Sequence, residues 1–252
     1  MITAADSQGD SGSPGPREGP RIRVGTRTLL LDHSGAAIDP GSGRLFVADL
    51  HLGKGGTLRR AGVPIPAGTS RETMERISRT VARVGGSVRE VWVLGDLVHA
   101  AAGLDESLVG EVAEWIAGLP GGGLHLVRGN HDRSAGRLPA EWHLEAHDEP
   151  HLLDGLYAAH IPPEPGRPDP SVDDRAMLAG HLHPMVRAGR GRTRTRKMPA
   201  FVGWGGAMDR PRVLVLPAQG RMVDGAVIRG RPGLHAWVCA EGEVVALAEG
   251  AW

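Results

Sequence analysis

Five short motifs in the middle of the chain carry side chains of the types that hold divalent metal ions. Aspartate, asparagine and histidine supply oxygen and nitrogen ligands that suit Mn, Fe or Zn, and they are not a thiolate set. Each motif follows a short apolar run, so we predict that all five contribute to one metal site. The motifs are Asp49-Leu50-His51, Gly95-Asp96-Leu97-Val98-His99, Gly129-Asn130-His131-Asp132, His160 and Gly180-His181-Leu182-His183.

The spacing within the motifs favours pairs of ligands at one place. In Asp49-x-His51 and His181-x-His183 the two side chains are two residues apart, so both can point to the same side of an extended segment. Glycine precedes three of the motif residues, where it lets the backbone bend sharply and approach other groups closely. These three residues are Asp96, Asn130 and His181.

The apolar runs before the motifs are predicted β-strands. Loops at the carboxyl ends of strands in an α/β sheet converge on one crevice, which would bring distant motifs together. The predicted strands cover residues 28–31, 45–48, 88–94, 124–127, 156–159 and 177–179.

Two helices are predicted between these strands. Residues 69–84 have apolar side chains at spacings of three and four, and Thr69 and Glu72 are predicted to form a capping box. Asp105 is predicted to open a second helix with one apolar face that extends to Leu119.

The last third of the chain has a different pattern. From residue 187 onward, strand-like runs such as 213–216 and 226–228 are broken by Gly and Pro, which predicts mostly β-structure. We therefore predict one α/β domain over residues 21–252, with mixed sheets and helices outside. Residues 1–20 are rich in Gly, Ser, Pro and Asp and are predicted to form a disordered tail.

Composition excludes several classes of protein. The 29 basic and 29 acidic residues balance, so no overall attraction to nucleic acid or to an anionic membrane follows. A single cysteine, Cys239, cannot form an internal disulfide framework, which favours a reducing cytoplasm. No apolar run is long enough to span a bilayer, and the first residues lack the pattern of a signal peptide.

The order of the five motifs along the chain resembles that of the calcineurin-like metallophosphoesterase superfamily. The resemblance covers about residues 45–184. Further segments resemble the bacterial DNA-ligase-associated phosphoesterase family. After residue 218 the chain departs from that family's usual aromatic and Thr-Gly-Gly pattern, with Gln219-Gly220 and Val223-Asp224-Gly225-Ala226 instead. The segments that carry the resemblance are Ala48-Asp49-Leu50-His51-Leu52-Gly53-Lys54, Arg59-Arg60-Ala61-Gly62-Val63-Pro64-Ile65-Pro66, Gly129-Asn130-His131-Asp132-Arg133, His183-Pro184 and Leu216-Pro217-Ala218.

The resemblance implies a sandwich of two mixed β-sheets flanked by helices (α/β/β/α) and a site for two divalent metal ions. Manganese is the first expectation for the ions, with iron or zinc as alternatives. A hydroxide between the ions would attack phosphorus in line. One ion is expected to take Asp49, His51 and His183, the other Asn130, His160 and His181, with Asp96 bridging both.

Two further residues are expected to act in catalysis. His131 is the candidate general acid or electrostatic stabiliser at the leaving group, and either Asp132 or another carboxylate is expected to orient its ring. His99 either supports the site or is structural. The remaining histidines fit no motif and are predicted to be structural: His33, His125, His143, His147, His151 and His235.

Basic residues outside the motifs have two interpretations each. Arg59 and Arg60 are candidate substrate-binding residues because a guanidinium matches phosphate oxygens, and the alternative is a solvated loop or helix face. The basic stretch at residues 187–197 either contacts a phosphate backbone or forms a charged hairpin edge.

The leading functional hypothesis is hydrolysis of phosphodiesters, in nucleic acid or its fragments, in DNA repair. One alternative is a phosphomonoesterase or nucleotide hydrolase at the same site. The other is a metal-stabilised scaffold that binds DNA-repair proteins. The expected partners are thus a phosphoester substrate, nucleic acid and repair proteins. No interaction with a membrane is expected.

Overall fold

A computed structural model of the chain describes residues 19–166, 175–188 and 196–248. The predicted tail lies outside the described residues except for Gly19 and Pro20, and the Pro20 carbonyl accepts a hydrogen bond from the Leu31 amide. Most of the basic stretch at 187–197 also lies outside them, as do residues 167–170 of the Pro-rich segment at 162–170.

The first sheet has seven strands in the order β1-β2-β3-β4-β5-β6-β7. Strands β1 to β4 pair antiparallel, and β4 to β7 pair parallel. The parallel half carries the first three motifs after its strands. The strands are β1 Arg21–Val24, β2 Arg27–Leu31, β3 Ala37–Asp39, β4 Arg44–Val47, β5 Glu90–Leu94, β6 Leu124–Val127 and β7 Glu145–His147.

The second sheet follows the order β15-β14-β12-β13-β10-β9-β8, and β11 pairs with β12. Strands β9, β10 and β13 pair parallel and the others antiparallel, so both sheets are mixed as expected. The strands are β8 His151–Leu153, β9 Leu156–Ala158, β10 Met177–Ala179, β11 Met185–Ala188, β12 Arg196–Trp204, β13 Val213–Val215, β14 Leu234–Ala240 and β15 Glu243–Ala246.

The α-helices of the described residues all lie in the part of the sequence between β4 and β7. None of these helices has the length and apolar character needed to span a membrane. They are α1 Lys54–Arg60, α2 Thr69–Val84, α3 Glu106–Ala117 and α4 Asn130–Ala135, and short 3-10 helices cover Ala101–Gly103, Pro120–Gly122 and Ala140–Trp142.

Alternating side chains of the strands separate the core into layers. On β5, Trp92 packs into the core between the two sheets, whereas Val93 packs against α2 and α3. On β12, Phe201 faces the same inter-sheet core, and Val202 belongs to a cluster on the other face of the second sheet. The sheets therefore pack face to face, with helices on the outer face of the first.

Several predicted elements differ in detail from the structure. Helix α2 has the predicted bounds, but Gly68 is its N-cap and no side chain caps it, so the predicted capping box of Thr69 and Glu72 is wrong. The predicted cap of α3 is confirmed, because the Asp105 carboxylate accepts a 2.9 Å hydrogen bond from the Leu108 amide. The segment at 226–228 forms only an isolated bridge from Val227 to Met185 instead of a strand.

Candidate metal centre

The five motifs meet because they follow strands whose carboxyl ends lie together. The segments that contain Asp49, Asp96 and Asn130 follow the neighbouring parallel strands β4, β5 and β6 of the first sheet. His160 and His181 follow β9 and β10, which are parallel neighbours in the second sheet. The packing of the two sheets thus brings all seven predicted ligands into one cluster.

Three predicted ligands form one side of the cluster. Nε2 of His183 lies 3.2 Å from Oδ1 of Asp49 and 3.4 Å from Nε2 of His51. One ligand atom from each of the three lies within 4.8 Å of the other two, a spacing that suits a shared cation.

The other side of the cluster is centred on His160. Its Nε2 atom lies 3.0 Å from Oδ1 of Asn130, 3.1 Å from Nδ1 of His181 and 3.4 Å from Oδ2 of Asp96. The same Asp96 oxygen lies 3.7 Å from Nε2 of His51 on the first side. The Asp96 carboxylate therefore stands between the two groups.

The donor set fits divalent metal ions. Oδ1 of Asp49 is buried and has no hydrogen-bond partner among the residues that the structure describes. Ring nitrogens of His51 and His183 face each other at 3.4 Å, as do those of His160 and His181 at 3.1 Å, so their lone pairs can converge on a cation. Buried lone pairs that converge without donors are expected where a cation binds.

The pKa values of the histidines follow from burial and from these carboxylates. Burial lowers the pKa of His51 to about 3, and the Asp96 carboxylate opposes the shift only in part. For His160, burial also acts to lower the pKa, but Asp96 and Asp49 outweigh it and raise the pKa to about 9. The two carboxylates thus make this part of the cluster strongly attractive to positive charge.

The backbone of the ligands is unusual. Among the described residues other than glycine, positive φ angles occur at seven positions, and five of these are predicted ligands. Such angles cost of order 1–3 kcal/mol each and persist only where surrounding structure enforces them. The five are Asp49 (φ 55°), His51 (47°), Asp96 (51°), His181 (69°) and His183 (43°).

The glycines before the ligands allow the close contacts predicted for them. A Cβ atom on Gly95 would lie 2.1 Å from Nδ1 of His160, and one on Gly129 would lie 2.2 Å from Oδ1 of Asp96. A Cβ on Gly180 would lie 2.8 Å from Oδ2 of Asp49. Any larger residue at these positions would displace a predicted ligand.

His131 and His99 lie beside the cluster. The His131 ring packs edge-to-face on His51 with a centroid distance of 4.8 Å, and it stacks on His99 at the same distance. Nδ1 of His131 lies 2.7 Å from the His99 carbonyl oxygen, so the ring donates a hydrogen bond to it. His99 also faces His51, at 3.4 Å between their Nδ1 atoms, which makes it a supporting residue of the site.

Asp132 does not orient the His131 ring as expected. The Asp132 carboxylate is buried and accepts hydrogen bonds from the amides of Val98 at 3.0 Å and Gly129 at 2.9 Å. Burial raises its pKa to about 6, although both hydrogen bonds oppose the shift. Asp132 therefore joins two motif loops, because it lies in the first turn of α4, where backbone amides are within its reach.

Arg59 and Arg60 lie at the end of α1, and both are exposed. Arg59 donates a 3.2 Å hydrogen bond to the Pro66 carbonyl. Lys54 begins the same helix and lines a small cavity with His51 and Arg221. In the sequence, only the position of Lys54 in the segment after the first motif indicated that it lies near the site.

Residues from distant segments hold the ligands in position, and sequence reasoning missed them. The Glu149 carboxylate accepts hydrogen bonds from the amides of His160 at 2.7 Å and Ile161 at 2.8 Å, and it pairs with Arg133 at 2.8 Å. The Leu94 carbonyl lies 3.2 Å from Nδ1 of His160. Such contacts hold a ring in one orientation and leave no local sequence pattern.

Comparisons with known proteins agree with this geometry. A family model described as calcineurin-like phosphoesterase matches residues 44–161, which contain four of the five motifs. The crystal structure of Pseudomonas putida nuclease MPE is similar to this chain, with a TM-score of 0.71 and 28% sequence identity. The match covers 90% of this chain and 99% of that chain. No curated protein matches the sequence.

Proposed function

We propose that this chain is a phosphodiesterase that uses two divalent metal ions to cleave nucleic acid. The proposal starts from its membership of the calcineurin-like phosphoesterase superfamily. The observation that carries this proposal is the position of Asp96. Its carboxylate lies within 3.7 Å of ring nitrogens from two separate groups of predicted ligands, so one residue can serve both.

The division of the ligands follows the two groups. Asp49, His51 and His183 would hold one ion, and Asn130, His160 and His181 the other. When bound, such ions supply an activated water nucleophile and neutralise charge on the phosphate. Manganese suits this set of oxygen and nitrogen ligands, and iron or zinc would also fit it.

His131 would act at the leaving oxygen. Its Nδ1–H is engaged by the His99 carbonyl, at 2.7 Å, so Nε2 is the nitrogen that remains for substrate. A protonated ring can donate from Nε2 to the oxygen that departs from phosphorus. The edge-to-face contact with His51 keeps this ring next to the proposed metal ligands.

Two observations support nucleic acid as the substrate class. The similar Pseudomonas putida protein is a nuclease, and nearly its whole length is covered. In addition, Lys54 and Arg221 lie beside His51 and can attract the phosphates that flank a scissile bond. Arg59 and Arg60, which lie farther along α1, would extend this basic track. A place in DNA repair, and contact with repair proteins, remain expectations from the resemblance.

The test is hydrolysis by protein that has been stripped of metal and reloaded with Mn²⁺. We expect cleavage of single-stranded DNA and of bis-p-nitrophenyl phosphate, and loss of both activities with a chelator. Turnover of p-nitrophenyl phosphate alone would instead identify a phosphomonoesterase. Bound metal without turnover of either ester would favour the scaffold hypothesis.

A further inference from the structure

A second group of histidines lies between the edges of the two sheets and includes none of the predicted ligands of the metal centre. Its members are His125 on β6, Glu145 and His147 on β7, and His151 on β8, and they pack beside Trp92 on β5. The sequence alone indicated that these histidines are structural. Their geometry suggests a further binding site.

Strand register places these side chains on one face of the first sheet. Trp92 pairs with His125, and His125 pairs with Glu145, in the parallel ladders of β5, β6 and β7. His147 is two residues after Glu145, so both side chains point to the same face. Trp92 belongs to the inter-sheet core, which identifies that face as the one toward the second sheet. From that sheet, the His151 ring packs on His147 at 4.1 Å.

Two ring nitrogens in this group are buried without hydrogen bonds. Neither Nδ1 of His125 nor Nε2 of His147 has a hydrogen-bond partner within the described part of the chain. Both face the Glu145 carboxylate, at 3.4 Å from Oε2 and 3.7 Å from Oε1, respectively. A buried polar atom left in this state costs about 1–3 kcal/mol, so its persistence needs an explanation.

We propose that His125, Glu145 and His147 form a separate zinc site. One ligand atom from each residue lies within 4.8 Å of the other two. Zinc–nitrogen and zinc–oxygen bonds of about 2.0–2.2 Å in tetrahedral geometry separate two ligand atoms by roughly 3.3–3.5 Å. The observed separations from the carboxylate need to change by only a few tenths of an ångström to reach this value. Water would complete the fourth position.

The surroundings hold the two rings ready for a metal ion. The His125 ring stacks on Trp92 with a centroid distance of 4.4 Å and an angle of 5° between the planes. The His147 ring also stacks on Trp92, with a centroid distance of 5.1 Å and an angle of 14° between the planes. The set has two imidazoles and no thiolate, which favours zinc over calcium or magnesium.

A zinc ion here would join β6 to β7, the edge strand of the first sheet. Hydrogen bonds along only one side hold an edge strand in place, so a metal that links it to its neighbour stabilises the sheet. This role is independent of phosphoester hydrolysis.

The test compares bound zinc in the wild type, His147→Gln and a matched control, His143→Gln, which alters an exposed histidine four residues earlier. After dialysis against buffered zinc, we expect His147→Gln to hold one zinc ion per chain fewer than the wild type and His143→Gln to hold the same number. Equal zinc content in all three proteins would overturn the proposal, whatever the metal centre binds.

A second variant and an anomalous difference map distinguish the loss of this zinc site from misfolding of the protein. The Glu145 side chain is 67% exposed, so Glu145→Gln is expected to fold normally and to lose the same zinc ion. In crystals soaked with zinc, an anomalous difference peak is expected between Nδ1 of His125 and Nε2 of His147. Retention of zinc by Glu145→Gln together with no peak at this position would contradict the site.

Discussion

The backbone amide of His181 donates a 2.9 Å hydrogen bond to Oδ2 of Asp49, and this bond joins the two sheets at the metal centre. Asp49 follows β4 of the first sheet, whereas His181 follows β10 of the second. The other oxygen of the same carboxylate lies 3.2 Å from Nε2 of His183. Ligand geometry therefore depends on how the two sheets pack.

Asp96→Asn is expected to abolish metal-dependent hydrolysis, because the carboxylate between the two ligand groups loses its charge. The loss in kcat should exceed ~100-fold, since weaker changes outside the ligand shell already cost 10–100-fold. Hydrolysis of bis-p-nitrophenyl phosphate with Mn²⁺ measures it, and circular dichroism checks the fold. The matched control is Asp148→Asn at an exposed position. Full activity in the Asp96 variant would refute the proposed two-ion site.

His131→Asn is expected to lower kcat by roughly 10²–10⁴-fold, the usual contribution of a positioned acid, while bound metal stays the same. Its ring is held by the His99 carbonyl and is not among the proposed metal ligands. Metal content by mass spectrometry and kcat are measured on the same sample. If the activity falls only as far as the metal content does, His131 is a ligand instead of an acid.

Gly95→Ala is expected to destabilise the protein more than Gly62→Ala. Both glycines have positive φ, 81° and 82°, so both substitutions cost backbone strain of about 1 kcal/mol. Only at Gly95 would the new Cβ collide with His160, at 2.1 Å, whereas at Gly62 nothing lies within 4 Å. Urea unfolding of the metal-free proteins gives the difference. An equal loss of stability in the two variants would show that the His160 side chain can move away from the new Cβ atom without cost.

Glu149→Gln is expected to weaken metal binding by about 10–100-fold, because its carboxylate holds the amides of His160 and Ile161. The glutamine keeps the size of the side chain but loses the charge that pairs with Arg133. Manganese titration followed by calorimetry measures the affinity. Since Arg133→Gln removes the pair but leaves the amide contacts, it should have the smaller effect.

The Asp32–Arg83 ion pair is expected to make stability fall in acid. Burial acts to raise the Asp32 pKa, but hydrogen bonds from Arg83 and Ser34 outweigh this effect and lower the pKa below 3.8. Stability from the ionised form is therefore complete above pH 3.8 and disappears as the pH falls through the lower value.

Asp32→Asn should remove this acid dependence and cost roughly 2–3 kcal/mol at pH 7, since two charged hydrogen bonds are lost. Urea unfolding at pH 7 and pH 3 measures both effects. Glu111→Gln breaks the exposed pair with Arg71 and is expected to have a much smaller effect on stability, because solvent screens exposed charges. An unchanged acid dependence in the Asp32 variant would assign it to other carboxylates.

Local patterns predicted most of the fold because they depend on neighbours in the chain. The bounds of α2 follow from apolar spacing, and the cap at Asp105 follows from the preference of helix starts for a side-chain acceptor. The cap of α2 was mispredicted because Gly68, at φ 86°, leaves the chain in a conformation that favours glycine over a side-chain cap. The segment at 226–228 bridges only to Met185, a contact that no local pattern contains.

The sequence by itself determined which side chains could hold metal, since motif order and the preceding strands place Asp49, Asp96 and His160 at strand ends. Only the tertiary structure decided how they combine, because the packing of two sheets sets the distance from Asp96 to both ligand groups. It also brought His125 and His147 together across a strand pair and aimed both at Glu145. Strand register and sheet packing are non-local, so side chains far apart in sequence become neighbours only after folding.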